Sequence, residues 1–198
     1  MIKIRVPATS ANLGPGFDCM GLALDVWNEI TFEPAEKTTY HVTGEGAEKF
    51  NKGSRNLLTK AFAALHEACG RPLTGASIRA RNEIPVSGGL GSSAAAIVAG
   101  LFGANETLGK PLGELDLLKI ATEMEGHPDN AAPALFGGLV VSVTARDEII
   151  TRRYEIPPLT LVIVKPLMEW THKNCAGGAC RNPSPARMRF TTSGAPRW

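Results

Sequence analysis

The chain has 198 residues, 43% of them hydrophobic, enough for one generous domain or two small ones with a real core. Net charge is +2, but residues 170–198 hold five basic and no acidic residues, leaving 16 basic and 19 acidic residues in 1–169. That mildly acidic body has no basic stripe with interleaved aromatics, there is no apolar signal core, and no run of about 18 apolar residues exists, so no nucleic-acid or membrane partner is expected, the basic tail reading as solvated or disordered in preference to bound to RNA or an anionic membrane, and a soluble, cytoplasmic protein is expected.

In chain order, residues 2–6 (IKIRV) alternate apolar and polar side chains, as a short strand does. Two prolines and two glycines in PATSANLGPGFD, residues 7–18, predict a tight irregular loop. Alternation returns in residues 21–33, and residues 38–44 (TTYHVTG) read as another strand. Asn56 is placed to cap a helix through residues 57–70, which Gly70 ends. A strand at 76–82 leads to IPVSGGLGSSAAA, and residues 92–109 read as a buried helix whose small residues permit close packing. An amphipathic helix is expected at 113–125, and a short one is expected to start within HPDNAAPALFG. Strands are expected at 137–143, 147–156 and 159–164. The mixture is α+β, with no internal repeat.

The glycine-rich stretch carries the chemistry. A helix N-terminus exposes backbone N–H groups and a partial positive charge, and glycines ahead of it let an anion reach the main chain. Gly88, Gly89 and Gly91 supply that access, Ser92 and Ser93 add hydroxyls for phosphate oxygens or Mg²⁺, and Pro85 stiffens the approach. A tight strand-to-helix turn built for packing explains the same glycines. A Walker loop is excluded because no Gly-Lys-Ser/Thr occurs here. A dinucleotide fingerprint drawn through Gly89, Gly91 and Ala94 lacks its acidic residue at the end of a following strand, since Glu114 and Asp116 open a predicted helix.

Three separated motifs, PATSANLGPGFDCMGLAL, IPVSGGLGSSAAA and EGHPDNAAPALFGG, resemble the homoserine kinases of the small-molecule kinase superfamily (GHMP kinases) that includes galactokinase and mevalonate kinase. The resemblance covers residues 1 to about 167. It implies ATP-dependent phosphorylation of the side-chain hydroxyl of L-homoserine, with Mg²⁺, in threonine biosynthesis; a homodimer is compatible with it. It implies an N-terminal domain with a left-handed β-α-β unit like one in a ribosomal protein, followed by a ferredoxin-like α+β domain.

The resemblance assigns ATP to Pro85, Val86, Ser87, Gly88, Gly89, Leu90, Gly91, Ser92, Ser93, Ala94 and Ala95, with Asn56 near the adenine, although helix capping explains Asn56 equally. Substrate falls to Asn12, Asp18, His127, Asp129 and Asn130, with Asp18 and Asn130 as the catalytic candidates and Asp129 with Asn130 positioning the attacking hydroxyl. A carboxylate at 18 suits a cationic ammonium group, and local turn bonding is the other reading of Asn12 and Asp18. Glu125, with Ser93, is a hard-oxygen pair for Mg²⁺, and Glu123 serves as a control carboxylate with no such partner.

Beyond residue 167 the composition changes. Residues 168–198 have no periodic apolar pattern, Cys175 and Cys180 lack a second ligand pair for a metal, and the threonine and arginine residues the family places next are not legible. Permissive codon readings one frame over restore family-like segments, so the tail is expected to be a frameshifted read-through and the second domain largely missing. A non-catalytic nucleotide-binding fragment is the alternative expectation, and a Rossmann oxidoreductase the distant third.

Overall fold

Six strands and five helices account for residues 1–154 of the computed structural model, which describes residues 1–51, 56–146 and 148–163. The strands are β1 (Ile2–Leu13), β2 (Gly16–Pro34), β3 (Thr39–Gly44), β4 (Ala76–Asn82), β5 (Leu139–Ala145) and β6 (Glu148–Tyr154). The helices are α1 (Ala47–Asn51), α2 (Leu57–Ala68), α3 (Ser92–Thr107), α4 (Glu114–Glu125) and α5 (Ala131–Phe136).

The 19-residue β2 organises the sheet. It pairs antiparallel with β1 along most of its length, with β5 through Met20–Leu22, and with β4 through Glu29–Pro34. β6 extends the sheet beyond β5, and β3 lies parallel to β4. A parallel pair needs a crossover, and α1 and α2 supply it between β3 and β4.

The expected loop at 7–18 is a correction: most of it is a β-hairpin. The breakers are absorbed where the ladder permits them. Pro7 sits at a register shift between Pro7 and Ala8, where a lost N–H costs no ladder bond. Gly14 and Pro15 make the two-residue connection between Leu13 and Gly16, with Gly14 at φ 58 followed by a proline of fixed negative φ, the sign pattern of a II′ turn. The tip stays irregular: a second register shift leaves Asn12 on β1 and residues 17–20 on β2 without partners in that ladder. Near the other end of the strand pair, Glu29 bonds Lys3 at 3.2 Å and Arg5 at 3.5 Å, and Lys3 holds its carboxyl below the usual range.

α3 is the central helix. It contacts α2, α4, α5, β1 and β2, and ten of its residues are buried, from Ala94 to Asn105. The predicted close packing is visible at two glycines. A Cβ at Gly100 would lie 2.2 Å from the Leu58 carbonyl oxygen of α2. A Cβ at Gly103 would lie 2.3–2.6 Å from three ring atoms of Phe32. That ring is fully buried and stacks on Phe62 at 5.7 Å, so it has nowhere to retreat. Gly103→Ala is therefore expected to destabilise the fold by about 1–3 kcal/mol despite the better helix propensity of alanine. Urea unfolding checks this, and Phe32→Leu in the same chain should recover part of the loss.

α2 begins as predicted. The Asn56 side chain accepts the Leu58 N–H at 2.9 Å, and the chain turns out of helix at Cys69 and Gly70. Tyr40 on β3 is largely buried, and that burial pushes its phenol pKa up. The expected strand at 159–164 is a second correction. Residues 155–163 hold no helix or strand; Pro157 and Pro158 precede the apolar run, no ladder among the described residues includes it, and Val164 lies outside them. No ferredoxin-like domain occurs among the described residues. The expected boundary at 167, the tail 168–198, and Cys175 and Cys180 lie outside the described residues. Cys19 and Cys69 are free thiols. No described helix is long and apolar enough to cross a membrane.

Candidate functional site

The glycine loop follows β4 and is pinned before it starts. The buried Asn28 side chain on β2 accepts the N–H of Glu83 at 2.9 Å and of Ile84 at 3.0 Å, turning the chain out of the sheet. Three residues of the loop have positive φ: Ser87 (60°), Gly89 (68°) and Gly91 (65°). For serine that conformation is strained, which is typical of a loop shaped for a ligand.

The two positive-φ glycines do different jobs. Nothing lies within 4 Å of a Cβ built on Gly89, so the space beside it is open. A Cβ on Gly91 would sit 1.9 Å from Thr9 Oγ1 and 3.1 Å from Asn130 Oδ1. Gly91 is thus bare because β1 packs into it. Gly89 has open space beside it, whereas the space beside Gly91 is taken by Thr9.

α3 starts at Ser92 with no side-chain cap and no acidic residue in its first turn. Its first intrahelical bond runs from the Ala95 N–H to the Gly91 carbonyl at 2.8 Å. The N–H groups of Ser92, Ser93 and Ala94 precede it, at the positive end of a 16-residue helix. Ser93 is exposed and donates its hydroxyl proton to Glu125 Oε1.

Glu125 is the last residue of α4, before Gly126 at φ 96°. A carboxylate at a helix C-terminus faces the negative end of the dipole, and α4 has no basic residue in its last turn to offset it. Such an acid is held there at a cost that a bound cation would reverse. Glu123, two residues earlier, is exposed and has no such contact with Ser93. One carboxylate and one hydroxyl fit Mg²⁺, which keeps several waters and takes its other oxygens from phosphates. No group of three or more His, Cys, Asp or Glu suited to a metal occurs among the described residues.

The segment 127–130 closes the site. Gly21 on β2 lets it approach, since a Cβ there would lie 1.8 Å from the Asp129 carbonyl oxygen. The Asp129 side chain is wholly buried; its Oδ1 accepts from His127 Nδ1 at 2.5 Å and from Asn130 Nδ2 at 3.3 Å, while Oδ2 has no partner. Asn130 precedes α5 but makes no side-chain cap. Its Oδ1 instead accepts from Thr9 Oγ1 at 2.8 Å.

The structure therefore brings together Gly91, Ser93, Glu125, His127, Asp129 and Asn130, and adds Thr9, Asn28 and Gly21, which sequence reasoning passed over. Thr9 and Gly21 lie inside the first motif, but a strand threonine or glycine carries no local signal of a tertiary contact. Asn12 and Asp18 form a separate pair at the hairpin tip. The Asn12 side chain accepts the Asp18 N–H at 2.9 Å, and both residues have positive φ, 58° and 55°. Among the described residues no hydrogen bond ties that pair to the glycine loop. Asn56 caps α2 through its Oδ1, and its amide faces the Tyr40 phenol.

Comparison with known proteins follows these lines. Residues 56–138 match the model of the GHMP kinases N terminal domain. The chain is 45% identical over 164 residues to a homoserine kinase of Moorella thermoacetica, covering 83% of this chain and 55% of that protein. It is 41% identical over 190 residues to a homoserine kinase of Desulfitobacterium hafniense, covering 95% of this chain, and so reaching past residue 167, and 62% of that protein. The crystal structure of homoserine kinase from Cytophaga hutchinsonii superposes with a TM-score of 0.67 at 30% identity, over 88% of this chain and 58% of that one. Mevalonate kinase of Methanococcus jannaschii, at 17% identity and a TM-score of 0.59 over 78% of this chain and 56% of that one, shares the fold. The chain spans little more than half the length of the first relatives it matches.

Proposed function

From the premise that this chain carries a GHMP kinases N-terminal domain in the α+β fold of that family, we propose that it serves ATP-dependent phosphorylation of the side-chain hydroxyl of L-homoserine. The observation that supports this most is the meeting of an uncapped α3 N-terminus with the Ser93–Glu125 pair and with Asn130. A triphosphate needs amide donors and a metal-holding oxygen pair beside the group that receives the phosphoryl.

In this reading the N–H groups at Ser92–Ala94 and the open side of Gly89 take the phosphates, and Ser93 and Glu125 hold Mg²⁺. The metal would neutralise charge on the triphosphate. Asp18 offers its carboxylate to the substrate ammonium, and Asn12 keeps Asp18 in place while leaving its own Nδ2 to a ligand. His127 is oriented by Asp129 through Nδ1 and presents its other ring nitrogen to the substrate. Asn130 positions the attacking hydroxyl; as an amide it takes no proton. The substrate oxygen bonds the γ-phosphorus as the bond to the β,γ-bridging oxygen breaks; the hydroxyl proton passes to an oxygen of the transferred phosphoryl and on to water, and ADP departs.

ADP release measured by a coupled assay, with and without L-homoserine and with Mg²⁺ present or chelated, tests the reading. Homoserine-dependent, Mg²⁺-dependent ADP is the expected result. ATP binding without turnover would instead make this chain a nucleotide-binding fragment, and absence of ATP binding would overturn both readings.

A further inference from the structure

We infer that Thr9 is a positioning residue that couples the nucleotide loop to Asn130; the inference rests on the kinase reading of that site. Thr9 is on β1, outside the glycine loop and outside the segment 127–130, yet it touches both. Its backbone N–H donates to the Leu90 carbonyl at 3.1 Å. Its hydroxyl donates to Asn130 Oδ1 at 2.8 Å. Its Oγ1 also fills the place a Gly91 side chain would take.

The residue is completely buried. A buried hydroxyl costs desolvation that valine, of the same shape, would avoid, so packing alone gives no reason for threonine here. Its hydroxyl has one protein partner, and that partner is the amide of Asn130. With Oδ1 held by Thr9 and one Nδ2–H directed at Asp129 Oδ1, the amide plane of Asn130 is fixed at both ends. One N–H is left to meet a substrate oxygen. Asn130 makes no cap for α5, so its side chain is not committed to the helix it precedes.

The consequence is mechanical. Leu90 and Gly91 are the last residues before α3, and any shift of the loop on binding phosphate moves the Leu90 carbonyl or the Gly91 backbone. Both bear on Thr9, and Thr9 bears on the amide. This is a contiguous chain of contacts from the phosphoryl donor site to the group that aligns the acceptor. It ties loop occupancy to acceptor alignment.

The full chain labelled with ¹⁵N tests this. Saturating Mg-ATP should shift the backbone amides of Gly89 and Gly91 and also the side-chain NH₂ pair of Asn130, identified by its loss in Asn130→Asp. Thr9→Val should keep the Gly89 response and lose that of the Asn130 side chain; Thr9→Ser should keep both. In the ADP assay Thr9→Val should lower kcat by about tenfold or more with the KM for ATP within about threefold, and Thr9→Ser should restore most of it. An Asn130 response that survives Thr9→Val, or is missing in the wild-type chain while Gly89 responds, overturns the inference and leaves the kinase reading standing. The wild-type spectrum decides by itself if Thr9→Val does not fold. No response at Gly89 and Gly91 overturns the kinase reading, and the inference with it.

Discussion

Gly91→Ala is expected to abolish Mg-ATP binding and lower the melting temperature, whereas Gly89→Ala should weaken ATP binding with little loss of stability. Both residues have positive φ, so alanine costs about 1–2 kcal/mol at either from backbone strain alone. They differ in what the new methyl meets. At position 91 it falls 1.9 Å from Thr9 Oγ1, inside the buried junction of β1, the loop and Asn130. Relief requires moving a strand or the start of α3, an overpacking cost of a further 1–3 kcal/mol or so. For a unit of this size the total is roughly a 5–15 °C drop in Tm. At position 89 the methyl points into open space. Only a bound phosphate would meet it, so affinity falls by about tenfold while Tm moves by only a few degrees. Differential scanning fluorimetry and titration calorimetry on the two variants separate the effects. Unchanged ATP affinity in a folded Gly89→Ala protein would move the phosphate site elsewhere.

The second large effect is at Glu125. Glu125→Gln should reduce Mg-ATP affinity by about 10–100-fold and turnover by more, because it removes the carboxylate placed on Ser93. Metal-free ATP should bind nearly as before. Stability should hold or rise slightly, since the substitution takes a negative charge from a helix C-terminus, a gain of about 0.3–1 kcal/mol set against one lost hydrogen bond. Improved stability with lost function is the signature expected of a residue kept for chemistry. Glu123→Gln, exposed and without the Ser93 contact, should change neither property. Equal affinity of Glu125→Gln for ATP with and without Mg²⁺, at the wild-type metal-bound value, would remove Glu125 from the metal site.

The helices and the glycine loop were legible because their signals are local. Asn56 before an apolar periodicity, Gly70 after it, and the alanine run behind Ser92 and Ser93 each state a backbone preference within a few residues. The hairpin was less legible. Pro7, Gly14 and Pro15 read as breakers, yet a bulge and a two-residue turn place all three without breaking the strand pair. The five-residue α1 gave no periodic signal at all, being little more than one turn with no buried residue. Thr9, Asn28 and Gly21 could not be found from neighbours in sequence. Their partners lie 121 residues away for Thr9, 55 and 56 for Asn28, and on α5 and the segment before it for Gly21. The pattern at 159–163 failed for the opposite reason: the apolar alternation is there, but a strand needs a neighbour for its backbone groups.

Ten of the sixteen residues of α3 are buried, and the helix is notched into α2 at Gly100 and onto Phe32 at Gly103. The hydrogen-bonded amides in the buried middle of such a helix are expected to exchange with solvent only when the whole unit comes apart, while the unbonded amides at its head stay open. If the proposed phosphate site is at that head, Mg-ATP should raise the melting temperature of the whole unit and not merely order one loop.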